Sequence, residues 1–175
     1  GVEILSQAEA GIHADVVETG TTFEENALIK AAEIAEAARK MPEYQDAVVL
    51  ADDSGLEIDY LNKEPGIYSA RYMGEDTSYD IKNQALLDRL EGVEDEKRTA
   101  RFVCAIAAAF PDGSTEVVRG TMEGIIGHEI AGENGFGYDP IFYLPEYGCT
   151  SAQLAPEKKN ELSHRGKALR AMRDI

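Results

Sequence analysis

The chain has no tryptophan and only two cysteines among its 175 residues. Cys104 lies in an apolar run and reads as a core thiol. Cys149 lies among Gly, Thr and Ser and reads as a loop residue. Two such isolated thiols exclude a disulfide framework or a cysteine-based zinc site, and a reducing cytoplasm is the expected compartment. No apolar run approaches the roughly 20 residues that a membrane-spanning helix needs. No secretory or transit pattern is visible at the start. Cations are scarce too: 17 Lys and Arg stand against 33 Asp and Glu, a formal net charge of −16. Such a surface repels DNA, RNA and anionic membranes, so none of these is an expected partner. A small phosphorylated ligand can still bind where the cations gather. Lys158, Lys159, Arg165, Lys167, Arg170 and Arg173 supply one such place. For Lys167, Arg170 and Arg173 a solvated helix face is the simpler reading.

What the chain does have is enough apolar material, 43% of its residues, to build a core. At this length about 70% of the unfolded surface can be buried, in one domain or two tightly packed lobes. Residues 2–5 and 14–18 read as short extended strands. Thr22 with Glu25 three residues on predicts a capping box and a helix through about Lys40, ended by Pro42. Asn26 and Lys30, four apart, share a face of that helix. Ala47 to Ala51 reads as a buried strand that stops at Asp52-Asp53-Ser54-Gly55, and Leu56 to Leu61 as a second strand. Thr77 or Ser78 can cap a helix to about Glu91, stopped by Gly92. Thr99 to Phe110 and Thr115 to Ile126 predict a long hairpin closed by Pro111-Asp112-Gly113-Ser114. A glycine-rich loop, Gly132 to Gly137, and a strand from Pro140 to Leu144 follow. Pro156 suits the first turn of a short helix, and the last helix begins near Ser163. The pattern is mixed α/β.

Asp52 and Asp53 stand out because adjacent like charges oppose each other's ionisation unless a cation or donors lie near. Magnesium takes oxygen ligands, commonly one or two carboxylates plus substrate phosphates. A plain turn, with Asp capping and Gly55 bending, explains the same residues equally well. Glu18, before Thr19-Gly20, is a second candidate ligand or a surface loop glutamate.

Four blocks together resemble one family. They are Glu18-Thr19-Gly20 with Thr22-Phe23, Glu25-Asn26-Ala27 and Lys30-Ala31; Ala51-Asp52-Asp53-Ser54-Gly55-Leu56 with Pro65-Gly66-Ile67-Tyr68-Ser69-Ala70-Arg71-Tyr72; Gly135-Phe136-Gly137-Tyr138-Asp139-Pro140; and Ser163-His164-Arg165. In this order they resemble the inosine/xanthosine triphosphate pyrophosphatases, the Ham1-like enzymes. The resemblance implies a long, curved central mixed sheet flanked by helices, with a cleft between two lobes of one domain over residues 1–175, and a homodimer. It implies hydrolysis of ITP, dITP and XTP to the monophosphate and pyrophosphate with Mg2+. Asp53 would bind the metal or act as general base, with Glu18 as a further metal ligand. Lys30 and Lys159 would contact phosphates. Ser54, Phe136, Gly137, Tyr138, Asp139, His164 and Arg165 would complete the substrate site, Phe136 as a stacking face for the base. Donors such as His164 and Arg165 would favour a carbonyl at C6 of the purine over the amino group of adenine.

Members of this family open with a strand and a Ser/Thr-Gly-Asn-x-x-Lys loop expected to cradle the triphosphate. The chain starts at Gly1 without that segment, so its N-terminal strand and loop are expected to be missing. Two alternatives follow: a non-catalytic nucleotide-binding fragment, or a Maf-like pyrophosphatase with another base preference.

Overall fold

The computed structural model describes residues 3–13, 16–133 and 137–174. Thr22 is extended, and its side chain accepts from Glu25 N at 3.0 Å to open α1 (Phe23–Arg39). The expected capping box closes one residue early. The Glu25 carboxylate takes Thr21 N at 2.6 Å and Thr21 Oγ1 at 3.0 Å. Ala27, Ala31, Ala35 and Ala38 form the buried stripe of α1, at the spacing that keeps side chains on one face. Pro42, in a short 3₁₀ turn, follows its end.

The strands are β1 (Val49–Ile58), β2 (Glu64–Pro65), β3 (Thr99–Ala109), β4 (Thr115–Ile126), β5 (Phe142–Leu144) and β6 (Cys149–Thr150). The helices beyond α1 are α2 (Tyr79–Arg89), capped by Ser78, α3 (Pro156–Leu162), and α4 (His164–Arg173), capped by Ser163. The strands make one sheet in the order β2-β1-β3-β4-β5-β6. The pairings β1–β2, β4–β5 and β5–β6 are antiparallel. This is the α/β class expected from the sequence. The β3–β4 hairpin has the predicted bounds to within one residue, β3 ending at Ala109 and not Phe110. Its turn is closed by Phe110 N donating to Ser114 O at 2.9 Å and by Asp112 Oδ1 accepting from Ser114 N at 2.8 Å.

Two compact units divide the chain: residues 1–53 with 105–118, and residues 54–104 with 119–175. The first buries Phe23, the α1 alanines and the continuous run Ala105 to Ala109. The second buries Leu56, Ile58, Leu86, Leu90, Phe102, Met122, Ile126, Ile141 and Phe142 around one core. Arg98, 2% exposed, staples this second unit. It donates to the carbonyls of Leu90 at 2.7 Å, Val93 at 3.3 Å, Ile126 at 2.8 Å and Gly127 at 2.5 Å. These acceptors satisfy a guanidinium that burial would otherwise penalise.

Three local expectations are corrected. Residues 3–5 and 16–18 form no strand, and Val2, Ala14 and Asp15 lie outside the described residues. A few apolar residues do not make a strand without a partner to pair with. Residues 47–51 are not a buried strand, since Val48 and Leu50 are exposed. Most importantly, Ala51 to Gly55 is not a turn. It lies inside β1, which runs unbroken to Ile58. Leu56 to Leu61 is therefore the end of that strand followed by a 3₁₀ turn at Asp59–Leu61.

Candidate active site

The strand geometry changes the meaning of the two adjacent aspartates. Successive side chains on a strand point to opposite faces. Asp52 is accordingly exposed while Asp53 is buried, and the two carboxylates do not share a site. Asp53 instead belongs to a group built from three segments of the first unit. Lys30, projecting from α1, places its Nζ 2.5 Å from Glu18 Oε1 and 3.6 Å from Asp53 Oδ1. The same ammonium donates to the Asp52 carbonyl at 2.8 Å. One cation thus ties the 18–20 loop and β1 to the helix.

The loop itself is held by Asn26, which is fully buried. Asn26 Oδ1 accepts from Gly20 N at 2.8 Å. The approach is so close that a Cβ at position 20 would lie 2.7 Å from Asn26 Oδ1 and from Glu25 Cβ. Glycine at 20 is a steric requirement, and Glu18 is delivered to Lys30 because of it. Asn26 and Lys30 do share a face of the helix, one for the loop and one for its carboxylate.

Asp53 is only 8% exposed. Its carboxyl is pushed up to about 6, first by burial, with Glu18 acting in the same direction and Lys30 and Asn26 opposing both. The Asn26 amide is near enough to lower the Asp53 carboxyl, but among the described residues neither Asp53 Oδ2 nor Asn26 Nδ2 completes a hydrogen bond of normal geometry. A buried carboxylate oxygen without a donor is costly, and it marks the place where a further group would be received. Ser54, the next residue along β1, is half-buried.

The second unit holds the remaining candidates. Asp139 is 6% exposed. Its Oδ1 accepts from Ser151 Oγ at 2.6 Å and its Oδ2 from Lys159 Nζ at 2.5 Å. Tyr138 is buried, its hydroxyl donates to Ser69 O at 2.5 Å, and its ring meets Tyr79 edge-on at 5.2 Å. Burial pushes the Tyr138 phenol well above its ordinary range. It is a packing residue with a satisfied hydroxyl in this structure. His164 begins α4 and stacks on Phe102 with ring centroids 5.0 Å apart. Arg165 follows it, exposed. The helix is seated by Gly120 of β4, where a Cβ would come within 2.3 Å of His164 O. Phe136 and Gly135 lie outside the described residues.

The sequence pattern did not reveal Ser151, whose hydroxyl occupies one oxygen of Asp139. Nothing in its local sequence distinguishes it from a loop serine. Asn26 was placed on the helix face but its hold on Gly20 was not legible, because that contact depends on the path of the loop.

A family model described as the Ham1 family matches residues 1–175. The chain belongs to the Ham1 family. It is 54% identical over 170 residues to a dITP/XTP pyrophosphatase of Geobacillus kaustophilus, covering 97% of this chain and 79% of that protein. It is 48% identical over 173 residues to a dITP/XTP pyrophosphatase of Clostridium perfringens, covering 99% of this chain and 84% of that protein. Among solved structures it is similar to the Staphylococcus aureus Ham1 protein, with a TM-score of 0.83, 47% identity, and 92% and 79% of the two chains covered. A HAM1 protein from Coxiella burnetii gives a TM-score of 0.79 at 43% identity, over 91% and 78%. The four blocks quoted above are thus carried by a chain whose Ham1 kinship extends along its whole length.

Proposed function

We propose that this chain hydrolyses dITP, ITP and XTP to the monophosphate and pyrophosphate, with Asp53 at the reacting end of the substrate. The observation that carries the assignment is the buried Asp53 carboxylate, one oxygen unpartnered among the described residues, beside Glu18 and Lys30 in a Ham1-family chain.

A divalent cation fits this group. Its donors would be hard carboxylate oxygens from Glu18 and Asp53, which Lys30 holds together. Two carboxylates completed by phosphate oxygens and water is the arrangement magnesium favours. When bound, the ion would offset charge on the triphosphate and on the leaving pyrophosphate. The chain's own residues do the rest. Asp53 accepts the proton of the attacking water. Lys30 keeps the two carboxylates together and offers its ammonium to a phosphate oxygen. Asn26 and Gly20 hold Glu18 in place.

Lys159, which the family resemblance gave as a phosphate contact, is here assigned to the base because Asp139 holds its ammonium. With the donors of His164 and Arg165 it suits the C6 carbonyl of hypoxanthine and xanthine. Adenine, with an amino group there, would leave those donors unmatched, which is the strong form of discrimination. Similarity to dITP/XTP pyrophosphatases over almost the whole chain supports this preference.

The test is pyrophosphate release with magnesium, measured for dITP, ITP, XTP, ATP and dTTP. The deaminated purines are expected to lead ATP by at least about 100-fold, since a site whose hydrogen-bonding groups are left unmatched can discriminate by about 10⁴–10⁵-fold. A preference for dTTP would overturn the base assignment. Calorimetric binding of ITP without pyrophosphate release would overturn the catalytic one.

A further inference from the structure

The start of helix α2 carries an inverted pattern, while Leu86 and Leu87 further along are buried. Ile81 is 54% exposed, while its polar neighbours Lys82 and Asn83 are each 1% exposed. Lysine is among the residues least often fully buried, and burying it costs free energy unless it is satisfied. Fold stability alone would favour the opposite arrangement. Such reversals of local preference concentrate where function demands them.

Both side chains are spent on main-chain carbonyls of irregular segments. Lys82 Nζ donates to Ala70 O at 2.9 Å and lies 4.6 Å from the Tyr79 ring centroid. Asn83 Nδ2 donates to Gly137 O at 3.1 Å. Those two segments are joined to each other, because Tyr138 OH donates to Ser69 O at 2.5 Å. The Ser69 hydroxyl in turn accepts from Leu56 N at 2.8 Å and donates to Gly66 O at 2.6 Å. The result is a closed frame within the second unit: α2 to Ala70, Ser69 to Tyr138, and Gly137 back to α2. The next residue in the frame is Asp139, which orients Lys159.

We propose that Lys82 and Asn83 are positioning residues for base selection, setting the path of residues 137–139 and hence the Asp139–Lys159 pair. This rests on the assignment of that pair to the purine. Neither side chain is exposed enough to touch a substrate, so their effect is on where Asp139 stands and not on the hydrolytic step. Asn83 Oδ1 has no partner among the described residues. A leucine of similar size removes the donor and this unmatched acceptor together, so it can be tolerated by the fold while the frame is cut.

The experiment uses Asn83→Leu and Lys82→Met in the full chain, reading melting temperature together with kcat and KM for pyrophosphate release from ITP and ATP. The expected result is a KM for ITP raised about fivefold or more, roughly the factor one net hydrogen bond corresponds to. The ITP-over-ATP ratio of kcat/KM falls with it, and kcat for ITP stays within twofold of the parent. Lys82→Arg, which keeps a donor, is expected to retain the parent KM. Should either variant fail to fold, Tyr138→Phe cuts the same frame by removing one oxygen atom and carries the same expectation. Folded variants with parental KM and selectivity overturn the proposal, as does a loss confined to kcat. Lys159→Ala separates the two layers. If it shifts the ITP-over-ATP ratio and Asn83→Leu does not, only the positioning role is wrong. If Lys159→Ala leaves the ratio unchanged, the base assignment fails and takes the positioning role with it.

Discussion

Asp53 is buried by the strand that carries it, and the helix α1 that faces it contributes a single ammonium to two carboxylates. Replacing Asp53 with asparagine tests its role at the level of one atom pair. Asp53→Asn is expected to lower kcat for dITP by about 10²–10⁴-fold, the range in which a positioned general base acts. Its melting temperature is expected to equal or exceed that of the parent, since the substitution removes a buried carboxylate whose Oδ2 lacks a partner among the described residues. Pyrophosphate release and thermal denaturation measured side by side decide it. Parental turnover would remove Asp53 from the chemistry.

Between elements, the clearest electrostatic tie in the second unit joins β1, β3 and β4. Arg101 of β3 donates to Asp59 at 3.0 and 2.9 Å, to Glu57 at 3.3 Å and to Glu123 at 3.1 Å. The Arg101 guanidinium holds the Asp59 carboxyl down at about 2, with the Thr99 hydroxyl assisting. An unfolded aspartate titrates near 3.9, so the folded carboxyl is depressed. Its contribution is present above about pH 4 and is lost as pH falls toward 2. The side chain is 34% exposed, so solvent screening limits the contribution to about 1 kcal/mol. Urea denaturation at pH 5, 4, 3 and 2 should show the stability gap between the parent and Arg101→Met closing over the lower half of that range. A gap independent of pH would mean that Arg101 acts by packing alone.

At the scale of the whole molecule, a large net charge and exposed apolar side chains pull in opposite directions. The charge of −16 keeps molecules apart. Yet Val48 is 50% and Leu50 is 54% exposed around the start of β1. Neighbouring exposed apolar side chains favour association. Leu50→Lys is expected to reduce light scattering at high protein concentration and in high salt, where the net charge is screened. Equal scattering from parent and variant would show that association starts elsewhere.

Much of this molecule was legible in its residues. The start and end of α1, the β3–β4 hairpin to within one residue, the Ser163 cap and the α/β class follow from local rules, which also narrow the α2 cap to Thr77 or Ser78. Capping, turn chemistry and hydrophobic periodicity act over a few residues, and those residues are adjacent in the chain. The four motif blocks likewise named the family. What local rules could not decide was the state of Ala51 to Gly55. Its composition suits a turn, but pairing within the sheet draws it into β1 and separates Asp52 from Asp53 by face. Nor could they place Glu18, Lys30 and Asp53 together, or bury Lys82 and Asn83 while leaving Ile81 exposed. Each of those outcomes depends on contacts between segments distant in sequence. Side-chain identity sets what a residue can do, and tertiary packing determines which carbonyl, carboxylate or face it meets.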